Sequence, residues 1–225
     1  GIESVNLLAI LNRTVFGYFT GPVAMMLGAL VGAPLIAEDR RAHALPLYFS
    51  RPIGHVHYVL GKAACAAFFL ALILVVPRIA MYFVEVAFSS ADGVALRQVP
   101  TLLRSCAAGG LGVALITSIA LGVSSLTERP TYAALFLLGI GVVTGGMAGH
   151  LAEELQNPYI MAFDPWACVH RIGMDLLPVP SRFEPEGDSP FSPLEVRHAW
   201  IGFAAWMALG LGTLLVRVRR VEVVT

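Results

Sequence analysis

The chain has 225 residues, 57% of them hydrophobic and 13% charged, with a formal net charge of zero and a mean hydropathy of +0.75. So little polar surface excludes a water-soluble globule of this size, and continuous apolar runs in place of period-two alternation exclude a β-barrel. What remains is an all-α integral membrane protein.

A helix needs about 20 apolar residues to cross a hydrocarbon core roughly 30 Å thick. Five windows qualify, near 16–37, 58–78, 106–126, 131–150 and 197–216. The first carries Pro22, Gly28, Gly32 and Pro34, a composition that membrane helices tolerate because neighbours re-satisfy freed backbone groups. It ends at Glu38-Asp39. A basic polar stretch follows as far as Lys62, and within it Leu45, Tyr48 and Phe49 fall at i, i+3 and i+4, an apolar strip on a short helix. Pro46 breaks that helix and suits the first turn of a second short piece.

The second window runs past Pro77-Arg78 to about Phe88, longer than one crossing requires, so a kink is expected at Pro77. Arg78 reads as a cation snorkelling at the outer interface; the alternative is a pore-facing arginine paired with Glu85. Residues 89–105 read as a short outer connection with an amphipathic approach through Val99, Leu102 and Leu103. The third window then returns inward to the tight turn Thr127-Glu128-Arg129-Pro130, with Pro130 at the first position of the next helix. That helix places Gly141, Gly145 and Gly149 at four-residue spacing, a pattern of close helix packing.

Residues 151–196 form the largest non-spanning segment. Asp164-Pro165 has the form of an N-cap followed by proline, after which Trp166, Val169, Ile172 and Leu176 make one apolar face. A helix lying in the outer interface is expected, with Trp166 at headgroup level. Five prolines between 178 and 193 mark an irregular loop, and Ser192-Pro193-Leu194-Glu195 is a capping box for the last span. No internal repeat or linker divides the chain, so residues 1–225 read as a single domain.

Lys and Arg split eight to seven between the two sides of five spans. Those closest to span ends in short loops favour the side of Arg40, Arg41, Arg51, Lys62 and Arg129 as cytoplasmic, with the C-terminus there too. Gly1 then falls outside, with no signal peptide in residues 1–15, and a sixth, first span is expected upstream. Cys65, Cys106 and Cys168 form neither a disulfide framework nor a zinc motif. His55-x-His57 lacks a carboxylate or Cys at ligand spacing. No Walker A, Gly-x-Ser-x-Gly or His-Glu-x-x-His sequence is present, so the chain does not read as an enzyme.

The ordered run Ile36-Ala37-Glu38-Asp39-Arg40-Arg41, a short amphipathic stretch, Ser50-Arg51-Pro52-Ile53 and then Tyr58-Val59-Leu60-Gly61-Lys62 resembles the permease subunits of the ABC-2 transporter family. Ser124-Ser125-Leu126-Thr127-Glu128-Arg129 is similar to that family's second, smaller inner contact. The likeness is carried by roughly residues 14–150, with weaker support to 217, and Pro46 departs from the expected coupling helix.

The resemblance implies an ABC-2 type transmembrane domain that moves a substrate, by export, under the drive of a separate ATP-binding-cassette ATPase subunit. ATP and Mg would sit on that partner, with no cofactor in this chain. The cytoplasmic coupling loop would be 38–57, with Glu38, Asp39, Arg40, Arg41, Leu45, Tyr48, Phe49 and Arg51 docking on the ATPase together with Thr127, Glu128 and Arg129. A permease homodimer or heterodimer in the bacterial cytoplasmic membrane is implied, with lipid and no nucleic acid as its surroundings. The rival readings are a structural or anchoring subunit of a larger membrane complex and a secondary transporter; the second lacks a charge near any window centre.

Overall fold

The computed structural model describes residues 20–42, 55–88, 93–177 and 194–220. All secondary structure among them is helical. In chain order these are α1 (Thr20–Leu27), a wide π-turn (Gly28–Gly32), α2 (Pro34–Arg41), α3 (His55–Leu74), α4 (Val76–Phe88), α5 (Val94–Leu126), α6 (Pro130–Glu154), a 3-10 helix (Pro158–Phe163), α7 (Pro165–Leu176) and α8 (Val196–Arg220). Five helical stretches are long and apolar enough to cross a membrane: Gly21–Arg41, Val56–Phe88, Ala95–Leu126, Pro130–Glu154 and Val196–Arg217. The protein is therefore an all-α integral membrane protein, with each stretch overlapping one of the five apolar windows.

α5 is the central helix. Its apolar window is 67% buried, against 11% for α6 and 22% for α8, so the other helices are arranged around it. The largest core cluster joins Ala29 and Ala33 of the first span, Leu70 and Leu74 of α3, Leu115, Ile116 and Ile119 of α5, and Leu137 of α6.

Small residues on α5 set how close its neighbours come. A Cβ on Gly28 would lie 2.7 Å from the Ile116 side chain, and one on Gly32 would lie 2.8 Å from Ala120 Cβ. On the α8 side, a Cβ on Gly122 would lie 2.7 Å from the Gly210 carbonyl oxygen. Without a hydrophobic driving force between helices in lipid, such close backbone approach is what packing has to offer.

The glycine face read from the sequence of α6 is used only in part. A Cβ on Gly141 would lie 3.5 Å from Met25 and one on Gly145 would lie 3.8 Å from the Asp164 carboxylate, but a Cβ on Gly149 would meet nothing within 4 Å. The closest approaches to another element's backbone are at Gly109, Gly122, Gly202 and Gly210 instead.

Helix α3 stops at Leu74 and α4 resumes at Val76, so the break precedes Pro77. Proline has no N–H to offer its fourth predecessor, and the Arg78 N–H turns to the Val75 carbonyl at 3.1 Å. The Leu74 carbonyl then faces Gly109 so closely that a Cβ there would lie 2.6 Å from its oxygen. Gly109→Ala is expected to lower stability by about 1–2 kcal/mol, the overpacking cost exceeding the helix-propensity gain of about 1 kcal/mol. Thermal unfolding in detergent checks this against Gly110→Ala, since Gly110 has nothing within 4 Å of its Cβ position.

Three expectations change. The 89–105 connection is helical from Val94 onward, because Pro100 removes one N–H near the start of α5 without stopping it. Arg78 does not snorkel: it is 7% exposed and donates from Nη1 to the Ser105 carbonyl at 2.5 Å, a partner that α5 supplies inside the bundle. Glu85 accepts from Gln98 Nε2 at 3.0 Å.

Helix α7 is the third. Ala167, Cys168 and His170 are buried as well as Val169 and Ile172, so it packs into the bundle on more than one face. Trp166 lies against Gly21, the first residue of the first span, and packs on the main core. The proposed capping box lies partly outside the described residues. Within them, α8 begins at Val196 with the Glu195 carbonyl accepting from Ala199 N–H at 3.1 Å.

Candidate functional site at the charged end of the bundle

The charged residues singled out in the sequence gather where α2 ends, α3 begins and α5 turns into α6. α2 carries Glu38, Asp39, Arg40 and Arg41 in its last two turns, with the arginines at the C-terminal end that favours cations. Neighbouring residues there reach opposite ways. Asp39 turns to α3, where its Oδ2 accepts from Tyr58 Oη at 2.6 Å and lies 2.7 Å from Lys62 Nζ. The Lys62 ammonium also sits 5.8 Å from the Tyr58 ring centre.

Arg40 turns to the α5–α6 corner. It donates from Nη1 to the Ser125 carbonyl and from Nη2 to Glu128 Oε1 at 3.3 Å. Such a fork holds two groups in a fixed relation, which a lysine would not. The corner is itself ordered: Thr127 Oγ1 accepts from Arg129 N–H at 3.1 Å, Pro130 opens α6, and the Arg129 guanidinium lies 5.5 Å from the Tyr132 ring centre.

Asp39 and Arg40 therefore serve contacts within the chain. Glu38, Arg41 and Arg129 are exposed; Glu128 is exposed too but is paired with Arg40. Leu45, Tyr48, Phe49 and Arg51, with Pro46, lie outside the described residues.

Ser124 and Ser125, part of the inner-contact resemblance, are 0% and 1% exposed and cannot be surface contacts. Ser124 Oγ accepts from the N–H groups of Ile36 and Ala37, each at 3.0 Å, and donates to the Ala33 carbonyl. Tyr58 and Lys62 were read only as the opening of a span. Their i, i+4 spacing puts both on one helix face, which is the signal that they act together.

At the opposite end, Asp164 is a second polar feature. Its Oδ1 accepts from Trp166 N–H at 3.0 Å, making it the N-cap of α7, and the residue is 5% exposed. Burial pushes its carboxyl above the ordinary 3.8, against the backbone N–H groups of Trp166 and Ala167, which lower it. The Cys168 thiol is pushed up to about 12 by burial and by the Asp164 charge, so it is held as a thiol.

A carboxyl raised in the folded state favours folding most below pH 3.8, and that advantage is lost as pH rises through the folded value. Asp164→Asn keeps the cap acceptor without the charge. It is expected to flatten the acid side of the pH–stability profile and to leave the neutral-pH midpoint equal or higher, read by thermal unfolding across pH 3 to 8. A lower midpoint with an unchanged pH slope would contradict the burial effect.

Among the described residues, no three His, Cys, Asp or Glu side chains are grouped to hold a metal ion. Among the described residues, five membrane-length helices and a braced, charged corner where α2, α3, α5 and α6 meet define a membrane-spanning component. The profile described as "ABC-2 family transporter protein" matches residues 3–175, more than half of the chain. The chain belongs to the ABC-2 family and is a permease of an ABC transporter. No curated protein matches it significantly.

Proposed function

We propose that this chain is the membrane-spanning subunit of an exporter driven by a separate ATP-binding-cassette ATPase, docked at the Arg41–Arg129 corner on the cytoplasmic side. The observation that carries the reading is the division of charges there. Asp39 and Arg40, the latter with Glu128, brace the helix ends, while Glu38, Arg41 and Arg129 stay exposed on the braced frame. A rigid frame with exposed charges suits a surface that receives force.

The last turn of α8, with Arg217, would lie on the same side. Two copies of the chain, or this chain and a related one, flank the transport path. The apolar exposed face of α6, with Tyr132, Leu135 and Phe136, supports lateral association in the membrane.

The test is a photoreactive amino acid placed at position 41 or 129 in native membranes. The expected result is a crosslink from both positions to a subunit carrying a Walker motif. Crosslinks only to other membrane subunits would favour an anchoring role.

A further inference from the structure

We infer that Ser124 is a positioning residue: its hydroxyl fastens α2 to α5, so the segment leading into the docking loop and the α5–α6 corner move as one piece about the π-turn at Gly28–Gly32. This deepens the permease reading and rests on it for its functional half.

The first span changes hydrogen-bond register midway. The Ala33 N–H reaches back to Gly28 across the π-turn, at 3.0 Å, and Pro34 begins the next piece without an N–H. A membrane helix interrupted in this way must have its freed polar groups met by neighbours. Ser124 does so, taking two N–H groups of the first turn of α2 and returning its own proton to the Ala33 carbonyl.

The packing register leads to the same place. Ile116, Ala120 and Ser124 are spaced four apart on α5 and meet Gly28, Gly32 and then Ile36-Ala37, so the two helices run side by side in the same direction. Contact is apolar and close at the first two levels and hydrogen-bonded at the third. One turn further along, Arg40 adds its bonds to the Ser125 carbonyl and Glu128.

Among the described residues, side-chain hydrogen bonds from the first span to α5 begin at Ala33, past the π-turn. π-turns inside helices are rare and frequent at functional sites, and this one is placed between the fastened piece and α1. Movement of the 38–41 segment is therefore passed to α5, the central helix, and is taken up at Gly28–Gly32.

Hydrogen exchange of the purified native complex tests this. Ser124→Ala should raise exchange over residues 34–41 by roughly tenfold, about what loss of one or two buried hydrogen bonds allows, with residues 20–27 unchanged. ATP should alter protection of α5 residues 115–124 in the native complex but not in Ser124→Ala, although hydrolysis continues. Ser124→Thr, which restores a hydroxyl, should recover both.

Unchanged exchange over 34–41 in Ser124→Ala, or an ATP response of α5 that survives it, would overturn the inference. Should Ser124→Ala fail to fold, Arg40→Ala releases the other half of the fastening and is read the same way. A native complex with no ATPase removes the permease reading, while the exchange comparison still decides the role of Ser124.

Discussion

Gly210→Leu is expected to abolish the folded protein, or to lower its stability by at least about 3 kcal/mol. A Cβ at this position would lie 2.6 Å from both the carbonyl carbon and the oxygen of Ser118 and 2.9 Å from the Ile119 nitrogen. All three are backbone atoms of α5, which cannot rotate aside as a side chain would. From the other helix, a Cβ at Gly122 would lie 2.7 Å from the Gly210 oxygen and from Thr213 Oγ1. The two backbones are in mutual contact, so a leucine must drive α8 outward and break the bond from Ser118 Oγ to Met207 Sδ, now 3.2 Å. Gly212, two residues on, has nothing within 4 Å of its Cβ position, and Gly212→Ala should be neutral or stabilising by up to about 1 kcal/mol. Thermal unfolding of both variants in one detergent separates contact from propensity. Equal midpoints would mean that α8 does not seat on α5 as described.

Arg41→Glu is expected to remove ATP-driven transport, or at least nine-tenths of it, with little change in thermal midpoint. Arg41 is exposed at the end of α2, so reversing its charge touches a partner's surface rather than the core. Close charge pairs across an interface lose affinity sharply when one member is reversed, because attraction becomes repulsion. Arg40→Glu should behave differently. It breaks the bonds to Ser125 and Glu128 and places two carboxylates together, so stability and transport should fall in parallel. The pair of adjacent substitutions thus distinguishes a docking charge from a bracing one, using transport and melting measured on the same preparations.

Much of the fold was legible because lipid imposes a single rule on long apolar runs. The five spans, the break near Pro77, Pro130 at the head of α6 and the Asp164 cap all follow from backbone hydrogen bonding, which one sequence expresses locally. The helix–helix contacts were not legible in the same way. Gly141, Gly145 and Gly149 form the conspicuous spacing, yet the backbone contacts are at Gly109, Gly122 and Gly210, because closeness depends on the register of another helix.

The burial of helix α7 on more than one face was not legible for a related reason. The spacing of Trp166, Val169, Ile172 and Leu176 shows one apolar face, and nothing local reveals that Cys168 and His170 are covered as well. At the charged corner, sequence indicated which residues carry charge but not how they divide. Asp39 and Arg40 are braced by Lys62, Tyr58, Ser125 and Glu128, contacts that span 19 to 88 positions. The family likeness located the corner, and the folded chain distinguishes its braced charges from its exposed ones.

The most direct measurement is purification of the intact complex from its membrane in mild detergent, with subunit stoichiometry by mass spectrometry and ATP turnover of the same sample. A Walker-motif ATPase present in fixed ratio to this chain, active in the native complex and lost or uncoupled in Arg41→Glu, is the predicted result. A complex that holds its other contacts but contains no nucleotide-binding subunit would contradict the docking account and leave an anchoring role in its place.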